Sequence, residues 1–109
     1  MSPNKSFQIY WTQLAEDSYS RELEFINLKW NTKEVVKFID MTDDILEKLQ
    51  SGIIEGNISK KTNLRRIVVS KQTTLFFEKF EQNQQINLLL FWNNKSDPKR
   101  QIELLDFYK

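Results

Sequence analysis

The sequence predicts an α+β domain: a short N-terminal strand, an antiparallel helix hairpin, and a three- to four-stranded antiparallel β-meander. Three observations carry this. Residues 6–12 alternate apolar and polar; two stretches between residues 13 and 50 place apolar residues at helical spacing; and residues 64–92 hold three dense apolar runs separated by short polar turns. With 109 residues a single domain spanning 1–109 is expected, large enough for one core without staples. Eight Phe, three Trp and three Tyr supply much of that core.

In the first element Phe7, Ile9 and Trp11 point one way and Gln8, Tyr10 and Thr12 the other. Thr12 is placed to cap the next segment, whose Ala15, Tyr19, Leu23, Ile26 and Trp30 form one stripe. Glu16 and Asp17 fall in its first turn, where the helix dipole favours negative charge. Asn31 followed by Glu34 resembles a capping box, and Val35, Phe38, Ile39, Thr42, Ile45, Leu46 and Leu49 make the second stripe. Gly52 stands where a C-cap glycine belongs. The connection between these helices is very short, so they should lie antiparallel.

Residues 51–63 contain both glycines and read as a loop, with Ile53, Ile54 and Ile58 as candidates to pin it to the core. Strands follow near 64–70, 73–80 and 85–92. The last is apolar on both faces, as a strand covered on both sides would be. Residues 101–108 fit either a last strand or a helical turn, and Phe107 and Tyr108 either close the core or end the chain loosely.

Composition excludes several chemistries. Without cysteine there is no disulfide framework, thiolate metal site or cysteine nucleophile. Without histidine the commonest metal ligand is missing, as is the one side chain that titrates near neutrality unaided. With only Gly52 and Gly56 there is no glycine-rich phosphate loop, the carboxylates fall mostly on predicted helix faces and so give little support to a glycosidase-type pair, and no cofactor is expected. There is neither a signal-peptide pattern nor an apolar run long enough to span a membrane, so a cytoplasmic protein with no membrane contact is expected.

The net charge of +1 hides an asymmetry: residues 1–55 hold six Lys/Arg against ten Asp/Glu, and residues 56–109 ten against five. This fits either an acidic solvent face on the helices or a basic patch for an anionic partner. Arg65 and Arg66 are adjacent on a strand and must face opposite ways, one towards the helices and their carboxylates, the other towards solvent or a ligand. Lys71, Lys79, Lys95, Lys99 and Arg100 are ordinary surface cations taken singly, and an anion site if clustered at one end of the meander. Trp92 reads as core or as a base-stacking platform.

In this order the pieces resemble the RelE/ParE superfamily of toxins from bacterial toxin–antitoxin modules, over about residues 10–98. Tyr10-Trp11-Thr12-Gln13-Leu14-Ala15-Glu16-Asp17 is similar to the family's strand-to-helix entry, W-[ST]-x-x-A-x-x-[DE], with the acidic residues one position early. Leu64-Arg65-Arg66-Ile67-Val68-Val69 resembles the arginine-bearing strand, and Thr74-Leu75-Phe76-Phe77 the strand after it. Phe91-Trp92-Asn93-Asn94-Lys95-Ser96-Asp97-Pro98 resembles an F-W-[DN]-x-R-x-[DN]-P ending common in ParE-like members.

The resemblance implies a growth-inhibiting toxin neutralised by a cognate antitoxin. The ParE-like branch, which inhibits DNA gyrase, is favoured, with Arg65, Arg66, Trp92, Lys95, Lys99 and Arg100 as target-binding candidates. A RelE-like endoribonuclease acting on mRNA in the ribosome is the alternative. There Arg65, Arg66 and Lys95 would stabilise the phosphate, Lys71, Lys79 or Glu78 would move protons, and Lys60 and Lys61 would mimic the basic loop. A non-toxic antitoxin-binding module is a third reading. Absence of histidine, absence of a tyrosine just after the last strand, and Lys95 in place of arginine depart from the cleaving pattern.

Overall fold

The computed structural model describes residues 6–58 and 64–107. In chain order these form β1 (Gln8–Trp11), α1 (Gln13–Lys29), α2 (Thr32–Ser51), β2 (Asn57–Ile58), β3 (Leu64–Val68), β4 (Thr73–Phe80), β5 (Gln85–Asn93) and α3 (Pro98–Phe107). The sheet order is β1-β5-β4-β3-β2. β3, β4 and β5 are the expected antiparallel meander, and β1 adds to its edge parallel to β5, from Gln8 opposite Gln85 to Trp11 opposite Leu88.

The caps lie where the sequence placed them. Thr12 Oγ1 accepts from the Ala15 N–H at 3.1 Å, and Asn31 Oδ1 from the Glu34 N–H at 3.0 Å. Gly52 closes α2 in the left-handed region at φ 82°, its N–H donating to Leu49 O at 3.2 Å. Gly56, at φ 75°, has a further reason to be glycine. A Cβ there would lie 2.8 Å from Phe77 Cζ and 2.9 Å from Arg66 O.

Each face of the sheet has its own core. On the helix face Leu75, Phe77, Ile86, Leu88 and Phe91 pack against Ala15, Ile26, Phe38 and Leu49. On the outer face Phe76, Leu89, Leu90 and Trp92 pack with Leu14 and with Leu105 of α3. Residues 98–107 are thus helical, which resolves the choice left open for the C-terminal segment. An amphipathic helix is what an apolar outer face needs as cover.

A bulge in β5 sets which side chain faces which core. Phe76 pairs with Leu90 and Phe77 with Leu88, leaving Leu89 unpaired with β4. Beyond it alternation is reversed, so Phe91 faces the helices and Trp92 faces α3. Phe91 lies 5.4 Å from the Trp11 ring and 4.8 Å from the Tyr19 ring. β1 ends opposite Leu88, so the edge of β5 beyond this point has no strand neighbour. α1 supplies the partners instead. The Thr12 backbone N–H and hydroxyl both donate to Leu88 O, at 3.2 and 2.8 Å. Ser18 Oγ donates to Leu14 O at 2.7 Å and accepts from the Phe91 N–H at 2.9 Å.

Three expectations are corrected. Residues 51–63 are not loop throughout: Asn57 and Ile58 pair with Arg66 and Arg65 as a short edge strand. Of the three isoleucines, Ile54 joins the core while Ile53 and Ile58 are exposed. Trp30 caps α1 at the hairpin tip, largely exposed, whereas Ser18 and Glu22 take buried positions in the stripe. Lys60, Lys61 and Tyr108 lie outside the described residues, as does the Phe107 side chain.

Ser18→Ala should cost about 1–3 kcal/mol in urea unfolding, because it strands the buried Phe91 N–H. Gly56→Ala should cost more, about 2–5 kcal/mol, adding left-handed strain to overpacking against Phe77.

Candidate functional site

The cations expected to cluster are divided among three places. Arg65 pairs across the sheet with Phe77 and faces the helices, and Arg66 pairs with Phe76 and faces outward. Arg65 Nη1 donates to Glu55 O at 3.2 Å and lies 3.6 Å from the Glu55 carboxylate, so its partner comes from the loop after α2 rather than from a helix. Lys79 shares that carboxylate at 3.4 Å, reaches Glu81 at 3.5 Å, and sits 4.5 Å from the Phe7 ring centroid. Its side chain is only 4% exposed. A buried ammonium needs such partners, so Lys79 is a structural cation on the helix face and does not belong to an outer anion site.

Arg66 is exposed on the outer face. It lines a groove of about 460 Å³ between β3 and α3, with Leu64, Phe76, Ile102, Leu105 and Asp106. Glu78, half-buried, also faces outward, opposite Leu64 and Asn87. Lys71, Lys95, Lys99 and Arg100 are exposed. The β3–β4 turn is tied to the end of β5, the Asn94 N–H donating to Gln72 O at 2.7 Å and Asn94 Nδ2 to Lys71 O at 3.4 Å. Thr74 Oγ1 donates to Asn94 Oδ1 at 2.8 Å. Lys71 and Lys95 thus share one end of the meander, while Lys79 stands at the other. Trp92 is 7% exposed and wedged under α3, so it is core and offers no stacking platform.

The turn after β5 launches α3. Asn93 Oδ1 accepts from the Lys95 N–H at 2.9 Å, and Asp97 Oδ1 from the Lys99 N–H at 3.0 Å. Pro98 stands at the first helical position, where its missing N–H costs nothing.

One residue escapes the sequence reading. Glu22 is 5% exposed, at the floor of a cleft of about 480 Å³ between α1, the end of β5 and α3. Thr73 Oγ1 donates to its Oε2, and Asn93 Nδ2 contacts both carboxylate oxygens at 3.4 Å. Burial pushes its carboxyl above the usual carboxylate range, and the hydrogen bonds from Thr73 and Asn93 only partly offset this. Ala15, Ser18, Glu22 and Ile26 all lie on the buried side of α1, so an acidic residue at stripe spacing was the available signal.

Comparison with solved structures agrees with this architecture. A chain of the chromosomal ParDE toxin–antitoxin system from P. aeruginosa superposes with a TM-score of 0.66, at 13% identity, over 83% of this chain and 98% of that one. This protein has the RelE/ParE toxin fold. A chain of the RelBE2 toxin–antitoxin complex from Mycobacterium tuberculosis matches with a TM-score of 0.52, at 7% identity, over 81% of this chain and 98% of that one. No family model matches the sequence, and no curated protein matches it significantly. No helix among the described residues is long and apolar enough to cross a membrane.

The raised Glu22 pKa fixes the sign of a pH effect. The native carboxyl holds its proton more tightly than the unfolded one, so stability falls as pH rises from about the ordinary value of 4.5 through the raised native value. Arg21, Asp97 and Arg100 line the same cleft. Glu22→Gln should therefore melt higher than the parent at pH 7 in thermal scans, with the difference shrinking as the pH is lowered towards 4.

Proposed function

We propose that this chain is the toxin of a type II toxin–antitoxin module, acting by binding its target, with DNA gyrase as the ParE-like candidate, and neutralised by a cognate antitoxin. The observation that carries the reading is the match, over nearly the whole length of the comparison chains, to structures of two toxin–antitoxin systems. The disposition of the cations supports binding over cleavage. Arg65 and Lys79 are engaged with Glu55 on the helix face, leaving Arg66 to face the outer groove. Lys95 offers a point charge where a guanidinium would clamp a phosphate through two bonds. Arg66, Lys71, Lys95, Lys99 and Arg100 would then meet an acidic protein surface, where complementary charge sets register and on-rate.

Ribosome-dependent mRNA cleavage is the second reading, favoured by one observation: Arg66 and Glu78 share the outer face, giving a phosphate ligand and a carboxylate on adjoining strands.

Induced expression in a bacterial host should arrest growth, with gyrase-dependent DNA breaks accumulating and messages intact. Co-expression of the product of the neighbouring reading frame should restore growth. Arg66→Ala should weaken the arrest while leaving the melting temperature within a few degrees, as for an exposed side chain. Cleaved message with intact chromosomes would move the assignment to the nuclease reading, and expression without arrest would leave an antitoxin-binding module only.

A further inference from the structure

Glu22 costs the fold stability, and its partners lie where the exposed lysines of the meander are mounted. A buried carboxylate is ordinarily matched by a cation. Arg21, Arg100 and Asp97 line the same cleft, all three exposed, and among the described residues neither arginine forms an ion pair with Glu22. Its partners are neutral donors: the Thr73 hydroxyl on Oε2, and Asn93 Nδ2 on both oxygens at 3.4 Å. Departures of this kind from the rules of a stable core belong characteristically to functional positions.

The two donors hold the two turns that carry Lys71 and Lys95. Thr73 closes the β3–β4 turn: its N–H donates to Ser70 Oγ at 3.2 Å, and its carbonyl accepts from the Val69 and Ser70 N–H groups at 2.9 and 3.2 Å. Asn93 opens the turn after β5, its Oδ1 accepting from the Lys95 N–H at 2.9 Å. Asn94 joins the two turns to each other through Gln72 O and Lys71 O. Glu22 is thus a point on α1 from which both lysine-bearing turns are held.

The charge of the side chain decides which way Asn93 faces. An ionised carboxylate only accepts, so it takes the amino end of the Asn93 amide and leaves the carbonyl end for the Lys95 N–H. The amide cannot turn over without setting its oxygen against the carboxylate and its amino group against the Lys95 N–H. A glutamine in the same space would bring an amino group of its own, and that constraint would be lost.

We propose that Glu22 is a positioning residue for the basic end of the meander, fixing through Thr73 and Asn93 where Lys71 and Lys95 stand. That these lysines meet a target rests on the function proposed above; that Glu22 sets their turns does not. The test is heteronuclear NMR of the full chain as the parent, Glu22→Gln, Asn93→Asp and the double exchange. Glu22→Gln should shift the Lys71 and Lys95 backbone amides and speed hydrogen exchange at the Lys95 N–H about tenfold, as for the loss of one hydrogen bond. Asn93→Asp alone sets two carboxylates together and should disturb the same amides. The double exchange rebuilds the pair with its roles reversed. The introduced glutamine donates to the introduced aspartate, whose second oxygen accepts from the Lys95 N–H, so the Lys95 exchange rate should return to that of the parent. A residue that served only packing or stability would not be repaired by the second change.

Inhibition of DNA gyrase supercoiling is measured on the same proteins. It should weaken several-fold in Glu22→Gln, in spite of the higher melting temperature, and recover in the double exchange. Lys71 and Lys95 amides left unmoved by Glu22→Gln, or not restored by the double exchange, overturn the proposal. So does a Glu22→Gln variant that inhibits as well as an active parent. A parent that neither inhibits gyrase nor arrests growth removes the function proposed above, while the amide shifts still decide the role of Glu22.

Discussion

Two hydroxyls on α1 hold the structure to a single arrangement. Strand β5 runs past the end of its parallel neighbour, and a bulge at Leu89 interrupts its ladder with β4. Backbone groups exposed there, inside a core, would be costly if left unpaired. Thr12 takes the Leu88 carbonyl while capping α1, and Ser18 takes the Phe91 N–H while bonding back to its own helix. These contacts fix the helix against the strand at a defined register. They also make the bulge tolerable. The bulge decides that Phe91 stacks on Trp11 and that Trp92 seats α3, so the division into two cores follows from it.

Much of this was legible in the sequence because it depends on local chemistry. Thr12, Asn31 and Gly52 announce helix ends through groups that satisfy the nearest backbone. The double-sided apolar run at 85–92 announces a strand covered on both faces. The opposite orientation of Arg65 and Arg66 follows from strand geometry alone. What was not legible depends on distant partners. Neither the two-residue pairing of Asn57 and Ile58 nor the parallel placement of β1 has a local signature. The scattering of the cations is of the same kind: spacing along the chain places Lys79 beside a positive patch, and strand register puts it on the far end and the inner face, against Glu55 and Phe7. Glu22 went unnoticed because acidic residues on helices are usually solvated, and its burial depends on Thr73 and Asn93, some fifty and seventy positions away.

The motif at 91–98 gains a physical reading residue by residue. Phe91 belongs to the aromatic cluster, Trp92 to the floor under α3, and Asn93 to the Glu22 carboxylate and the following turn. Asn94 ties that turn to the β3–β4 connection, and Asp97 with Pro98 starts the last helix. A resemblance in this stretch therefore reports the fold more directly than it reports a target.

The parallel pairing of β1 with β5 has a consequence for how the molecule comes into being. Residues 8–11 meet their strand partners only at residues 85–88, and that closure is among the longest the chain makes. The entropy of closing it must be met before the contacts it brings can help. During synthesis this strand therefore waits for its partner until residues 85–88 have been made. The helix hairpin forms early but has no sheet to cover. Closure of the sheet thus comes late, and a copy ended before residue 85 would present proteases with an open chain.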